Sequence, residues 1–518
     1  MVENKKKTMI NISIIHYNTP LLTECLIKSI NKFTPDSKIY IFDNSDKYPF
    51  IYRQDNIVYF DNTKGQIIDF EKWLKNYQYK DGKISSAKHC YSIQKIMDII
   101  NEPFILLDSD VLLKKDISDL FNKDYGFIGE ISSQFKRVYP FICFLNPQVL
   151  KGKDIKYFDE KHMLGLDKEH YIRFMEDTGC SLFLNKEKIP YKTIRTNDYV
   201  IHYGGGSYRG NEVSKEKWLI NNFKYFGDDK IIVSITSYKK RLLHLKDVIN
   251  SILKQTKKPY KICLTLYKED IRYMDADLQN FLEENKIEII ITDEDLGPNK
   301  KWYYVMKKYK NNPIITIDDD IIYNNDLLKT LYDSYLKFPF SISARRVHKI
   351  KYDKEGNPIE YAKWLYEYKS EAFQPSFDLF ATGVGGVLYP PNILNVDTID
   401  INEIKKCLFA DDIFLKKREN DLMKKVVWVK NNNLYSGKEI KEFKGNGLAL
   451  VNNLKNRNDE YIKKIGLKQI EEEKNIVKTS KERNKKINRT ANKVINKVTN
   501  KPLHTGKRKQ ITFMNTSW

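Results

Sequence analysis

The 518-residue sequence predicts an α/β chain made of two tandem units, each built on a mostly parallel sheet, followed by a basic C-terminal tail. Three observations predict this. First, a short apolar run ends in paired acids twice, at Ile105-Leu106-Leu107-Asp108-Ser109-Asp110 and at Ile314-Ile315-Thr316-Ile317-Asp318-Asp319-Asp320. Runs of this length, apolar at nearly every residue, read as strands buried on both faces, which is the habit of parallel sheets. Second, such runs alternate with segments of helical period. Third, the order repeats. Val233-Ser234-Ile235 parallels Ile12-Ser13-Ile14, Ser251 to Thr256 parallels Ser29 to Thr34, and Lys261 to Leu264 parallels Lys38 to Ile41. Two copies of one unit are the economical reading, spanning residues 8–225 and 229–465, with 466–518 as the tail.

Taken in order, Asn11 to Ile15 is a strand that ends in His16-Tyr17-Asn18. Thr19-Pro20 then opens a helix with Leu22, Cys25, Leu26 and Ile30 on one face. A second strand, Lys38 to Phe42, ends at Asp43-Asn44-Ser45-Asp46. Polar residues thus collect at the carboxyl ends of strands, where open α/β sheets bind ligands. A helix beginning at His89 leads into the Asp108 strand. A polar, helix-like connector from Gly210 to Asp228 joins the copies. In the second, a helix over Ile413 to Arg418 follows Asp411-Asp412.

Composition narrows the class. Hydrophobic residues at 41% and aromatics at 13% supply real cores, so the chain is not globally disordered. The net charge of +21 is concentrated, with thirteen Lys and Arg against one Glu between Lys474 and Gln510. The body is only mildly basic, so a nucleic-acid partner is not expected, whereas polyanionic small substrates suit it. The tail reads as a solvated helix or a disordered segment, with contact to anionic lipid as the alternative. Six scattered cysteines without a CxxC pair read as reduced core thiols of a cytoplasmic protein. No apolar run reaches the ~18 residues of a membrane span.

The paired acids carry the chemistry. In a strand, residues i and i+2 share a face, so Asp108 and Asp110 converge on one ligand. Charge at a buried strand end is costly unless compensated, and Mg²⁺ or Mn²⁺ with oxygen ligands does that. His202 precedes Gly204-Gly205-Gly206; an imidazole favours Mn²⁺, and the glycines let backbone N–H groups approach phosphate. The alternative for each acid is a turn or helix-capping role.

Both copies resemble the GT-A fold, a Rossmann-like sheet, of family 2-type glycosyltransferases that build bacterial surface polysaccharides. The first copy carries the likeness in Tyr17-Asn18, Asp43-Asn44-Ser45, Asp108/Asp110, Asp177-Thr178-Gly179 and His202 to Ser207. The second carries it in Thr236-Ser237-Tyr238, Asp295 to Lys300, Asp318 to Asp320, Gly385 to Pro390 and Ala410-Asp411-Asp412. The resemblance implies a nucleotide-sugar donor, a glycan or lipid-linked glycan acceptor, and Mn²⁺ or Mg²⁺. It makes Asp110, His202 and Asp320 metal ligands and sets Asp108 and Asp318 near the donor sugar or ribose. Asp177, and one of Asp411 and Asp412, become the base that takes the acceptor proton, with inversion at the anomeric carbon. Tyr17, Asn18 and Asp43, with Thr236, Tyr238 and Arg241, would hold base or ribose, and Lys300 would counter phosphate charge. The second copy has no counterpart of the His202 motif, and His348 is a weak substitute. The rival readings are one catalytic copy beside an acceptor-holding one, a non-catalytic glycan- or nucleotide-binding scaffold, and a nucleotidyltransferase. No glycine-rich phosphate loop after the first strand supports the last.

Overall fold

The structure is a computed structural model; it describes residues 9–52, 54–75, 83–166, 172–205, 212–369, 373–430, 437–440, 442 and 457–470. The expectations for the tail beyond residue 470, and for Gly206 and Ser207, lie outside these residues.

Two seven-stranded mixed sheets form, sharing no strand. The first uses β1 (Ile10–His16), β2 (Ser37–Asp43), β3 (Ile57–Asp61), β4 (Phe104–Asp108), β6 (Phe127–Ser132), β7 (Arg137–Leu145) and β10 (Tyr191–Thr193). Two pairs lie outside this sheet: β5 (Val111–Leu113) pairs with β11 (Val200–His202), and β8 (Leu164–Leu166) with β9 (Ile172–Phe174). The second sheet uses β12 (Ile232–Thr236), β13 (Lys261–Tyr267), β14 (Glu288–Thr292), β15 (Ile314–Ile317), β17 (Ile342–Ala344), β20 (Val387–Tyr389) and β21 (Val426–Trp428). Its accessory pairs are β16 (Ile321–Tyr323) with β22 (Gly437–Glu439), and β18 (Val347–Lys349) with β19 (Leu379–Ala381).

The duplication read from the sequence is a duplication of topology. The first sheet runs β10-β6-β7-β4-β1-β2-β3, and the second runs β21-β17-β20-β15-β12-β13-β14. In each, four neighbouring strands are parallel and the strand beside the acid-bearing one is antiparallel. Even the backbone link beyond the acids recurs: Tyr203 N–H donates to Asp110 C=O, and Ile440 N–H to Asp320 C=O, each at 2.9 Å.

Alternation explains why β4 is apolar up to Asp108. Phe104 and Leu106 join one buried cluster and Ile105 and Leu107 the other, on opposite faces of the sheet. Helix α1 (Pro20–Phe33) covers one face, its N-terminus set by Pro20 at a position where the missing N–H costs nothing. Helix α2 (Ile84–Ile100) begins at Ile84, five residues before the expected start, so His89 lies a full turn inside it. The connector is helix α3 (Glu212–Asn221) plus a 3₁₀ turn. It brings Leu219 and Phe226 into a cluster with Leu22 and Cys25 of α1, and Phe226 stacks with Phe340 of the second unit. In the second unit α4 (Leu245–Leu253) and α5 (Lys300–Lys308) take the places of α1 and α2 along the chain. Helix α6 (Asp411–Asp421) starts at Asp411, two residues before the expected Ile413. The six cysteines are buried and unbridged, as expected.

Candidate active sites

The first site lies at the carboxyl edge of β4. The strand ends at Asp108, a turn carries Ser109 and Asp110, and β5 leads away paired with β11. That pairing sets His202 opposite Val111, so the histidine arrives beside the acids from ninety residues on. His202 Nε2 is 3.1 Å from Asp110 Oδ1. One ligand atom from each of Asp108, Asp110 and His202 falls within 4.8 Å of the others. Asp108 Oδ1 is buried without a hydrogen-bond partner, His89 Nε2 standing 3.5 Å away. An orphaned carboxylate oxygen in a set of two acids and an imidazole fits a divalent cation.

Charges within the set shift one another. Burial, then the charge of Asp110, raises the Asp108 pKa against the pull of His89 and His202. Burial alone would lower that of His202, but the hydrogen bond and charge of Asp110 carry it above its ordinary value.

Asp177 is held differently. Its carboxylate accepts from Ser86 Oγ at 2.7 Å, Lys83 Nζ at 3.0 Å and its neighbour Thr178 N–H at 2.8 Å, and pairs with Arg137 at 2.7 Å. Burial would raise its pKa, but these partners outweigh burial and lower it. The first two turns of α2 thus address both acids, Ser86 reaching Asp177 and His89 facing Asp108.

The expected base-binding residues divide. Tyr17 and Asn18 meet at Asp46, with Tyr17 Oη donating at 3.1 Å and Asn18 Nδ2 at 2.6 Å. Asn18 takes a left-handed φ of 54°, and Oδ1 accepts from Lys47 and Tyr48 N–H, so it shapes the loop it was expected to offer to a nucleotide. Asp43 is fully buried. It accepts from Ser45 N–H, Phe50 N–H and Tyr59 Oη at 2.9, 2.7 and 2.7 Å, and so closes the 44–50 loop from within; its carboxylate does not face the cleft.

The second site borders a cavity of about 1400 Å³. Here each acid already faces a protein cation. Arg241 Nη1 pairs with Asp319 at 2.5 Å and Nη2 with Asp320 at 3.0 Å; Ser237 Oγ also donates to Asp319 at 2.7 Å. Lys301 Nζ bridges Asp318 at 2.8 Å and Asp411 at 3.0 Å. Gly383 makes the approach possible, since a Cβ there would meet Lys301 Nζ at 2.8 Å. Burial works against the Lys301 charge, but Asp318, Asp411 and Asp412 hold its pKa well above the usual lysine range.

Asp411 and Asp412 occupy the first turn of α6, where they complement the helix dipole, but the helix has no side-chain cap. Asp412 accepts from Gly383 N–H at 3.3 Å, and burial, then the charge of Asp411, pushes its pKa up to about 8. Burial and the charge of Asp318 push Asp320 up to about 6. Thr236 Oγ1 donates to Thr265 C=O, exposed Tyr238 lies under the Arg241 guanidinium, and Lys300 pairs with Asp295. Thr236, Tyr238, Arg241, Asp295 and Lys300 border the same cavity. Lys300 therefore meets a carboxylate where a phosphate partner was expected.

His348 does not replace His202. Its Nδ1 accepts from Glu367 N–H, and its ring sits among Tyr361, Tyr366 and Phe380. By register the position belongs to Glu439, opposite Ile321 as His202 is opposite Val111. Among the described residues only Asp108, Asp110 and His202 form a three-ligand set. Sequence reasoning missed Lys301, although it directly follows Lys300 in the segment singled out. Arg137, His89 and Glu439 carried no local signal.

Fold and first site together define a class: a duplicated α/β protein with an acid–imidazole cation site at the carboxyl edge of a parallel strand. Solved glycosyltransferase structures match part of the chain. GlyE of Streptococcus pneumoniae TIGR4 matches at 12% identity over 55% of this chain and 91% of its own, with a TM-score of 0.25. S. aureus TarS 1-349 in complex with UDP matches at 16% over 40% of this chain and 59% of its own, TM-score 0.28. The galactosyltransferase LgtC, in complex with donor and acceptor sugar analogs, matches at 12% over 36% and 74%, TM-score 0.24. No family model and no curated protein sequence matches the chain.

Proposed function

We propose that the chain is a glycosyltransferase that moves a sugar from a nucleoside-diphosphate donor to a surface glycan or lipid-linked glycan acceptor, with one transfer at each unit. The observation that carries the reading is the convergence of Asp108, Asp110 and His202 beside an orphaned carboxylate oxygen.

Asp110 and His202 would hold Mn²⁺ or Mg²⁺, with Asp108 beside it toward the donor. When bound, the ion supplies Lewis-acid stabilisation of the departing diphosphate. The residues do the rest. Tyr17 and the Asn18-shaped loop border the nucleoside at the ends of the first two strands. Asp177 is kept ionised by Lys83, Ser86 and Arg137 and so stands ready to accept the acceptor hydroxyl's proton. In the second unit the Asp411–Asp412 pair takes that role. Attack from the face opposite the diphosphate inverts the anomeric centre. A helix long and apolar enough to cross a membrane does not occur among the described residues; the basic tail would instead bring the chain to an anionic membrane surface carrying the acceptor.

A panel of nucleotide sugars tests the reading by Mn²⁺-supported hydrolysis and transfer. One donor is expected to turn over, and Asp110→Asn is expected to slow that donor at least about 100-fold, the scale of losing one electrostatic stabiliser. A second activity should survive Asp110→Asn and be lost in Asp411→Asn/Asp412→Asn. No turnover of any donor, or full activity in Asp110→Asn, sinks the reading.

A further inference from the structure

The two units share one topology, yet they furnish their acids in opposite ways. In the first, imidazoles stand beside the acids, His89 at 3.5 Å from Asp108 and His202 at 3.1 Å from Asp110, and a neutral imidazole is itself a metal ligand. In the second, a guanidinium and an ammonium already stand among them. Arg241 spans Asp319 and Asp320, and Lys301 spans Asp318 and Asp411. Both side chains are largely buried, at 15% and 7% exposure, so neither swings into solvent without vacating its carboxylates. A divalent ion among these acids would have two fixed like charges at contact distance. The residue at the place of His202 is Glu439, and it is exposed. The acids of the second unit therefore do not fit a metal.

We propose that the second unit takes no divalent cation and that Arg241 and Lys301 neutralise the diphosphate of its donor. The proposal rests on the nucleotide-sugar reading above and deepens it. Arg241 sits on the first-strand loop, beside Tyr238, at the edge of the cavity, where its planar guanidinium would exchange the oxygens of Asp319 and Asp320 for two phosphate oxygens as the donor enters. Lys301 lies deeper, between the strand acids and the Asp411–Asp412 pair, and so ties the donor end of the cavity to the base. Exposed Lys239, Lys369, Lys430 and Lys438 border the same cavity and add to the charge an incoming diphosphate meets.

The full chain carrying Asp110→Asn and His202→Ala leaves only the second site. Its binding of UDP, GDP, ADP, CDP and dTDP is measured by calorimetry with Mn²⁺ and with EDTA, and bound Mn²⁺ is counted by equilibrium dialysis. The expected result is one nucleotide bound equally well in both conditions, no Mn²⁺ retained, and at least about tenfold weaker binding in Arg241→Gln, in line with a lost charge-assisted pair. Arg241→Ala should moreover gain Mn²⁺ binding, because Asp319 and Asp320 are then open. A Mn²⁺ retained by the two-site variant and lost with Asp320→Asn overturns the proposal while leaving the nucleotide-sugar reading intact. So does nucleotide binding that the unaltered chain shows and this variant lacks. If the unaltered chain binds none of the five nucleotides, with or without Mn²⁺, both readings fall.

Discussion

A single proton would decide how well the first site holds a cation. Asp110 raises the His202 pKa, so below that raised value the imidazole is occupied by a proton. Metal ligation needs the neutral ring. Mn²⁺ affinity is therefore expected to fall as pH drops through the His202 titration, and to fall at least about tenfold in His202→Ala at any pH above it. Titration by Mn²⁺ electron paramagnetic resonance checks both; an affinity independent of pH in this range would remove His202 from the site. The two candidate bases differ just as sharply. Asp177, surrounded by Lys83, Ser86 and Arg137, has a depressed pKa, so first-unit transfer should stay flat with rising pH and decline only in acid. Asp412, at about 8, is protonated at neutrality. If it is the base, second-unit transfer in the Asp110→Asn chain should climb through about pH 8. Because the charge of Asp411 is part of the cause, Asp411→Asn should move that inflection downward. A rate flat between about pH 6 and 9 would leave Asp411 as the base.

At the scale of elements, the candidate base of the first unit depends on one glycine. Gly179 follows Asp177-Thr178 with φ at +80°, and a Cβ there would meet the Val138 carbonyl oxygen of β7 at 2.1 Å. Gly179→Ala should cost about 2–4 kcal/mol, combining a strained backbone with a collision that β7 cannot relieve. Gly152 ends a short helix with nothing within 4 Å of its built Cβ, so Gly152→Ala should stay within about 0.5 kcal/mol. Thermal melts of the pair check the contrast. The same scale shows what was legible. Asp108, Asp110 and Asp318 to Asp320 could be found because an apolar run fixes a strand and its end. Asp411 and Asp412 could be found as adjacent acids, though α6 starts at them and not after them. His202 was legible through its glycines, but Glu439 was not. Strand β22 has three residues, no apolar period, and a partner more than a hundred residues away, so only register reveals it. Asp43 misled because a carboxylate at a strand end looks alike whether it faces a ligand or, as here, two N–H groups of its own loop and the Tyr59 hydroxyl of β3. Lys300 and Lys301 are neighbours whose helical positions send one to Asp295 and the other to Asp318, a difference set by angle around α5.

At the scale of the whole molecule the two sheets could be counted from the repeat, but not how the units meet, because that rests on contacts between residues far apart in the chain. Glu24 on α1 is the clearest of these. It pairs with Lys28 one turn on at 2.8 Å and with Lys424 of the second unit at 3.4 Å, and it is 8% exposed. Lys32 adds a bond to the Gly227 carbonyl, and Asn395 of the second unit donates to Ile51 of the first. Burial opposes the charge of Glu24, yet Lys28 and Lys424 prevail and hold its pKa at about 2. A carboxyl depressed in the folded state stabilises it above the unfolded value near 4.5, and that stability disappears as pH falls toward 2. The shift corresponds to about 3 kcal/mol at neutral pH. Glu24→Gln should therefore lower the urea midpoint at pH 7 and lose its difference from the unaltered chain on acidification. Lys424→Met removes only the contact between units, so it should reproduce part of the loss at neutral pH and shrink with the same pH dependence. Equal midpoints for Glu24→Gln and the parent at pH 7 would mean that this buried ionic contact does not hold the units together, leaving the task to the apolar seam of Leu22, Leu219, Phe226 and Phe340.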